Sequence, residues 1–193
     1  MTELALIVIA AALVNNLVLV QSLGVYPMFG ASERVDGAIG VAIATGVLLV
    51  TAAVLAHAAE RYVLAPLDLP YLRLIAFVAA IGVATAGANA LTRHASPRLR
   101  QRLGLDGPLV TANCVALGVA LLNSAASRSL VAALFYAIGA ALGFGLAVVL
   151  FAGLRERVAQ ADVPEPFRGP AILFVTAGIL SLAFLGFAGF ARL

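Results

Sequence analysis

The chain has 193 residues, of which 63% are apolar and 11% are charged, and its formal net charge is +3 at pH 7. Its mean hydropathy is +1.09, whereas soluble domains are about 45–50% apolar and about 25% charged. A soluble chain of this size needs a more polar surface, so the composition indicates an integral membrane protein. The small charge and the single cysteine exclude a disordered, a disulfide-rich or a nucleic-acid-binding protein.

Six uncharged apolar runs follow one another along the chain, each close to the length of a bilayer-spanning helix. They are Leu4–Leu23, Gly37–Ala59, Leu74–Leu91, Leu109–Ala126, Ser129–Leu154 and Pro170–Ala191. The connections between the runs leave no room for a separate soluble domain. We therefore predict an all-α membrane protein with six transmembrane helices in a single domain, residues 1–193.

Arginine is distributed unevenly over the connections between these runs. The loops after the first, third and fifth runs carry eight arginines, and the opposite side of the chain carries four. The positive-inside rule places the arginine-rich loops in the cytoplasm. Both termini are then expected on the outer side of the membrane.

The two halves of the chain share short patterns at a nearly constant offset. The matching pairs are Glu60-Arg61 with Glu156-Arg157 and Pro70-Tyr71 with Pro166-Phe167, each 96 residues apart. A repeat unit of three spans must be inverted in the membrane, which predicts a 3+3 inverted repeat with units at about 1–95 and 107–193. Chance similarity between apolar helices is the alternative explanation.

Asparagines interrupt the first and fourth runs, at Asn15, Asn16 and Asn113. An amide in hydrocarbon is unfavourable unless it is hydrogen-bonded, and two consecutive asparagines cannot face the same neighbour on a helix. We therefore expect helices 1 and 4 to be interrupted, because the freed backbone groups then need side-chain partners. Interruptions at matching places in two halves indicate a site near the bilayer midplane. Amides that simply join neighbouring helices are the alternative.

Cys114 and Tyr26 are the other residues in these two regions with distinctive chemistry. Cys114 is the only cysteine, so the chain alone cannot form a metal site from two thiolates. A free cysteine is commonly a small apolar core residue. Tyr26 follows Gly24 at the end of the first run, where glycine and the adjacent proline end a helix or turn the chain and where an interfacial tyrosine is common.

Several segments, spread in order over the whole chain, carry a family resemblance. They are Leu13–Val20, Leu23-Gly24, Pro27, Gly30, Thr111–Asn123, Arg155–Arg157, Ala161–Pro164, Pro166–Gly169 and Thr176–Gly178. Together these segments resemble the A-type subunits of Rnf electron-transport complexes. That family is related to the D and E subunits of the sodium-pumping NADH:quinone oxidoreductase.

The resemblance implies a multi-pass subunit of the bacterial inner membrane that is not catalytic alone. The complex to which it would belong couples electron transfer between ferredoxin and NAD to sodium or proton translocation. It implies a homologous, oppositely oriented E-type partner, together with the remaining Rnf subunits and membrane lipid, and no nucleic acid. In the family, the two homologous subunits share a 2Fe–2S cluster held by two cysteines from each. Flavins and other iron–sulfur clusters belong to other subunits.

By the same resemblance, Cys114 falls on the second family cysteine, and Asn15, Asn16 and Asn113 shape the surroundings of the cluster. The first family cysteine should stand at position 26, where this chain has tyrosine. Cluster ligation normally takes four thiolates, so three interpretations stay open. The cluster persists with a substitute ligand such as Tyr26, the partner or a neighbouring residue fills the gap, or the chain is a structural or assembly subunit without a cluster. A small-solute transporter is a further alternative, favoured only by the repeat.

Overall fold

The computed structural model describes residues 2–31, 35–93 and 114–187, and its regular secondary structure there is helical. The helices are α1 (Thr2–Ile9), α2 (Val25–Ala31), α3 (Val35–Ala59), α4 (Arg73–Arg93), α5 (Cys114–Ala125), α6 (Leu130–Ala159) and α7 (Pro170–Leu185). Two of them continue as π-helices, α1 through Ala10–Val14 and α3 through Glu60–Leu64 followed by the short turn Ala65–Leu67. Helices suit these apolar runs because lipid offers the backbone no hydrogen-bond partners.

The centre of the fold is the pair α3 and α6, which run antiparallel. A Cβ added at Gly46 of α3 would lie 3.4 Å from the Cβ of Ala141, and one at Gly145 of α6 would lie 3.4 Å from the Cβ of Ala42. The order of these contacts is reversed along the two helices, which gives their relative direction. Small residues allow the helix backbones to approach closely without polar contacts.

Helix α1 packs along α6 in the same direction. A Cβ at Gly139 would lie 2.7 Å from the carbonyl oxygen of Val8, and a Cβ at Gly143 would lie 2.7 Å from that of Ala12. Both glycines are therefore required, since any side chain there would meet the backbone of α1. This contact positions the end of α1 against the middle of α6.

The remaining helices surround this centre. Ala56 of α3, Phe77 of α4 and Ala120 of α5 form a small buried cluster at one end of the bundle. On the opposite side, Phe29 of α2 makes edge-to-face contacts with Phe151 and Phe174, at ring-centroid distances of 5.2 Å and 5.0 Å. Aromatic pairs favour this geometry, which connects α2 with α6 and α7.

Most helices follow the apolar runs of the sequence, but α2 lies between the first and second runs and contains Pro27, where no helix was expected. The first run is not a single helix, because regular structure ends at Val14 and resumes at Val25, as the asparagine pair predicts. Val35–Leu67 and Leu130–Ala159 are long and apolar enough to cross a membrane, and the other apolar helices include stretches of 10–17 residues. The count of six spans and the outer location of the termini stay predictions. So does the interruption of the fourth run, whose first residues lie outside the described part.

The two halves of the chain contact each other through the glutamates that the sequence patterns matched. Glu60 accepts a hydrogen bond from the hydroxyl of Ser124 at 2.6 Å, and Glu156 accepts one from the N–H of Val35 at 3.1 Å. Each glutamate thus reaches the opposite half of the chain. The antiparallel course of α3 and α6 is a feature that an inverted repeat requires, and the repeat itself stays a prediction.

Candidate functional site

Asn16 ends the helix that starts with α1. Its side chain is fully buried, and its Nδ2 donates hydrogen bonds to the carbonyl oxygens of Ala12 and Gly143, both at 2.9 Å. Its Oδ1 accepts from the N–H groups of Val18 at 3.0 Å and Leu19 at 3.1 Å. All donors and acceptors of this amide are used. Asn16 therefore supplies partners to the backbone where the helix stops and ties that point to α6.

The segment after Asn16 turns back on itself before α2 begins. The N–H of Leu23 donates to the carbonyl oxygen of Leu17 at 2.8 Å, and Ser22 and Gly24 have φ values of 56° and 79°. A Cβ at Gly24 would overlap Cγ2 of Val115. Only glycine fits both this left-handed conformation and this contact.

The turn brings Gly24 against Cys114, ninety residues later in the chain. Cys114 is the first residue of α5 that the structure describes, and its sulfur accepts a hydrogen bond from the N–H of Gly24 at 3.1 Å. Cys114 is exposed, so the interpretation of this residue as a buried core cysteine is wrong. Part of this residue is therefore open to groups outside the chain. The region formed by Gly24, Tyr26 and Cys114 is called the α2–α5 junction below.

The α2–α5 junction lies halfway along α6. A Cβ at Gly24 would be 3.3 Å from Cε2 of Phe144, and Phe144 is near the centre of the 30-residue helix α6. A helix of that length spans about 45 Å, more than the hydrocarbon core of about 30 Å. The middle of a helix that crosses the bilayer is therefore deep in the hydrocarbon.

Helix α2 begins at the α2–α5 junction, at Val25. The N-terminus of a helix carries partial positive charge and free N–H groups, which favour an anionic group nearby. The N–H of Gly24, one residue before α2, is such a donor, and it contacts the sulfur of Cys114.

The other residues singled out in the sequence lie at different places. Tyr26 is 66% exposed in the first turn of α2, two residues after the N–H that contacts Cys114. Asn15 is exposed whereas Asn16 is buried, in agreement with the prediction that the two cannot face the same neighbour. Asn113 lies outside the described residues. Among the residues that the structure describes, no group of three or more His, Cys, Asp or Glu side chains could hold a metal ion.

Sequence reasoning missed two partners in this region. One is the carbonyl of Gly143, which accepts from Asn16 over 127 residues. The other is the backbone N–H of Gly24, since a main-chain donor has no residue-type signature. The sequence did carry a signal for the Gly143 carbonyl. Gly139 and Gly143 are four residues apart on α6, and small residues at this spacing are typical of helices that approach closely.

Comparison with known proteins agrees with these observations. Residues 4–191 match the family model described as Rnf-Nqr subunit, membrane protein. The chain is similar to proteins named as the A-type subunit of the ion-translocating oxidoreductase complex. It is 52% identical to that of Pseudomonas aeruginosa and 51% identical to that of Alkalilimnicola ehrlichii, each over 193 residues and the full length of both chains. It is 47% identical over 192 residues to that of Pseudoalteromonas translucida, again over both full chains. Together with its apolar helices, this full-length match shows that the chain belongs to the Rnf-Nqr subunit family of membrane proteins.

Proposed function

We propose that this chain is a membrane subunit of an Rnf-type ion-translocating oxidoreductase complex. Its α2–α5 junction would contribute to an iron–sulfur site shared with a homologous, oppositely oriented E-type subunit. The relatives similar over the full length are named as the A-type component of such a complex. The observation that supports the proposed role best is the position of Cys114, an exposed residue whose sulfur accepts from the N–H of Gly24 halfway along α6.

The residues present fit one part of a 2Fe–2S cluster. Such a cluster normally takes four thiolates, and hydrogen bonds to sulfur help to set its potential. This chain supplies one thiol, on an exposed residue and already bonded to one N–H group, so the remaining ligands must come from outside the chain or from Tyr26. The cluster would supply one-electron transfer across the centre of the membrane.

The other residues of the region position this ligand. Asn16 attaches the end of α1 to α6 through Gly143, and the turn that follows presents the N–H of Gly24 to Cys114. Asn15 and Asn113 are proposed to shape the surroundings. Tyr26 is exposed near the same N–H, where a phenol could face a partner subunit or act as a substitute ligand.

The wider reaction follows from the family resemblance. We propose that electrons pass between ferredoxin and NAD through the complex and that this transfer is coupled to movement of sodium ions or protons. Flavins and the other iron–sulfur clusters would be bound by other subunits in the bacterial inner membrane. The chain by itself would not be catalytic.

Cluster ligation is tested by Cys114→Ser in the purified complex. We expect loss of one 2Fe–2S signal in electron paramagnetic resonance and of two iron atoms per complex, as is normal for such a cluster. The control is Ala125→Ser at the exposed other end of α5, which adds the same hydroxyl and should keep the signal. A full signal in Cys114→Ser would show that this sulfur is not a ligand.

The role of position 26 is tested by Tyr26→Cys, which restores a second thiol. If the cluster has three thiolates in the native complex, this variant should bind its iron more tightly, measured as slower loss of iron to a chelator. An unchanged rate would show that Tyr26 does not limit the cluster.

A metal-free assembly subunit is the second candidate, and the tyrosine at position 26 favours it. For that function, Cys114→Ser would leave complex assembly, iron content and electron transfer at the level of the native protein. A Cys114→Ser complex that assembles but has lost iron supports the first candidate. One that assembles with its iron content unchanged supports the second.

A further inference from the structure

A second polar region lies at the other end of α5, away from Cys114. It is a cleft of about 360 Å³ between the end of α3, the start of α4, the end of α5 and the start of α6. Three guanidinium groups, those of Arg61, Arg73 and Arg128, line it together with one carboxylate, that of Glu60. We call it the arginine cleft. None of these residues belongs to the proposed iron–sulfur site.

The single carboxylate of the cleft is already engaged. Glu60 Oε1 accepts a hydrogen bond from the Ser124 hydroxyl at 2.6 Å, and it lies 3.4 Å from Nε of Arg73. The charge of Arg73 is therefore balanced by Glu60. The positive charges of Arg61 and Arg128 remain.

Arg128 is held in place by neutral groups. Its Nη1 donates to the carbonyl oxygen of Leu122 at 2.9 Å and to Oδ1 of Asn123 at 3.3 Å, and its guanidinium carbon lies 4.2 Å from the ring centroid of Tyr136. These contacts orient the group without neutralising its charge. In the described part of the chain, neither Arg128 nor the exposed Arg61 forms an ion pair with a carboxylate.

The cleft lies at the depth of lipid headgroups. The continuous helix Val35–Leu67 has 33 residues, about 50 Å, which exceeds a hydrocarbon core of about 30 Å. Its charged end must therefore leave the hydrocarbon. Tyr62 and Tyr71 are 79% and 73% exposed at this same end, and exposed tyrosines are typical of the membrane interface.

We propose that the arginine cleft binds the phosphate group of an anionic phospholipid, with Arg61 and Arg128 contacting the phosphate oxygens. Guanidinium groups bind phosphate through paired hydrogen bonds. The two unbalanced positive charges favour a lipid with net negative charge over a zwitterionic one. The hydroxyl of Ser127, which also lines the cleft, is a further donor. Lipid bound there would join the ends of four helices from both halves of the chain.

The proposal is tested on the full-length chain purified in detergent, with lipid binding measured by native mass spectrometry. The probes are phosphatidylglycerol, phosphatidylcholine with the same acyl chains, and inorganic phosphate. We expect phosphatidylglycerol to bind most tightly, and Arg61→Gln to weaken it about fivefold, as one interfacial arginine does. Arg61→Lys keeps the charge and should restore part of this affinity.

The matched control is Arg157→Gln, an equal change of charge at an exposed position at the other end of α6. It should leave the affinity for phosphatidylglycerol unchanged. Equal weakening by both variants, unchanged binding by Arg61→Gln, or equal affinity for the two lipids would each overturn the proposal. Inorganic phosphate that displaces phosphatidylglycerol at matched concentration would identify the cleft as a site for free anions instead. Because Arg61 is exposed, its variants should fold, and circular dichroism checks this.

Discussion

Asn16 replaces the backbone partners that are lost where the first helix stops. In hydrocarbon an unpaired N–H group is strongly unfavourable, and Asn16 accepts from two such groups while donating to two carbonyls. Asn15, one residue earlier, is exposed. The interruption therefore depends on one amide of the pair.

Asn16→Ala should destabilise the chain by about 2–4 kcal/mol, because two buried N–H groups lose their acceptor and the link to α6 is lost. The measurement is the free energy of unfolding of the purified chain in detergent. Asn15→Ala is the control, with an expected change within about 0.5 kcal/mol. Equal effects of the two variants would mean that the hydrogen bonds of Asn16 do not stabilise the turn.

Gly24→Ala should destabilise the chain by about 1–3 kcal/mol, since φ is positive there and the added Cβ would overlap Val115. Thermal unfolding followed by circular dichroism measures this effect. Gly82→Ala in α4 is the control, because nothing lies within 4 Å of its added Cβ. A Gly24→Ala variant as stable as the native chain would contradict the positive φ of Gly24 and its close contact with Val115.

At the scale of elements, the contact between α1 and α6 decides where the α2–α5 junction lies. The two backbones touch at Gly139 and Gly143, and this brings Asn16 within hydrogen-bond distance of α6. Helices that pack in lipid gain little from apolar burial, so close van der Waals contact and hydrogen bonds must hold them together. The glycines make that close contact possible.

Gly143→Ala should separate α1 from α6, because its Cβ would lie 2.7 Å from the carbonyl oxygen of Ala12 and 3.0 Å from Nδ2 of Asn16. We expect a loss of about 1–3 kcal/mol in the free energy of unfolding. Gly153→Ala on the same helix has nothing within 4 Å of its added Cβ, and it should be neutral or stabilising by up to about 1 kcal/mol. Similar loss in both variants would point to a general effect of alanine in α6.

At the scale of the whole molecule, the arginines predict the direction of the chain in the membrane. The loop after α5 is expected outside and the loop after α6 in the cytoplasm. Ser127 and Ala161 are exposed in these two loops and can each carry a single cysteine in a Cys114→Ala background.

In intact cells, a membrane-impermeant maleimide should label Ser127→Cys and should label Ala161→Cys only after the membrane is opened. The reason is that the reagent reaches only the outer side. Labelling in the opposite order would reverse the orientation. Labelling of both in intact cells would mean that the intervening helix α6 does not separate the two sides.

The sequence by itself determined the class of protein, the positions of most of the described helices and the interruption near Asn16. These properties depend on hydropathy and on polar groups within a short window, which residue types report directly. Through the family resemblance, it also identified Cys114 and Tyr26 as the residues at the positions of the two family cysteines.

Only the tertiary structure decided which asparagine is buried, that Gly143 is its partner, and that Cys114 is exposed beside the N–H of Gly24. It also brought Glu60, Arg73 and Arg128 to one cleft. These contacts join residues that are far apart in the chain. Two of them use backbone groups, the carbonyl of Gly143 and the N–H of Gly24, which the residue type does not reveal. Their existence depends on the close approach of α1 and α5 to α6, a property of packing that no local stretch of sequence contains.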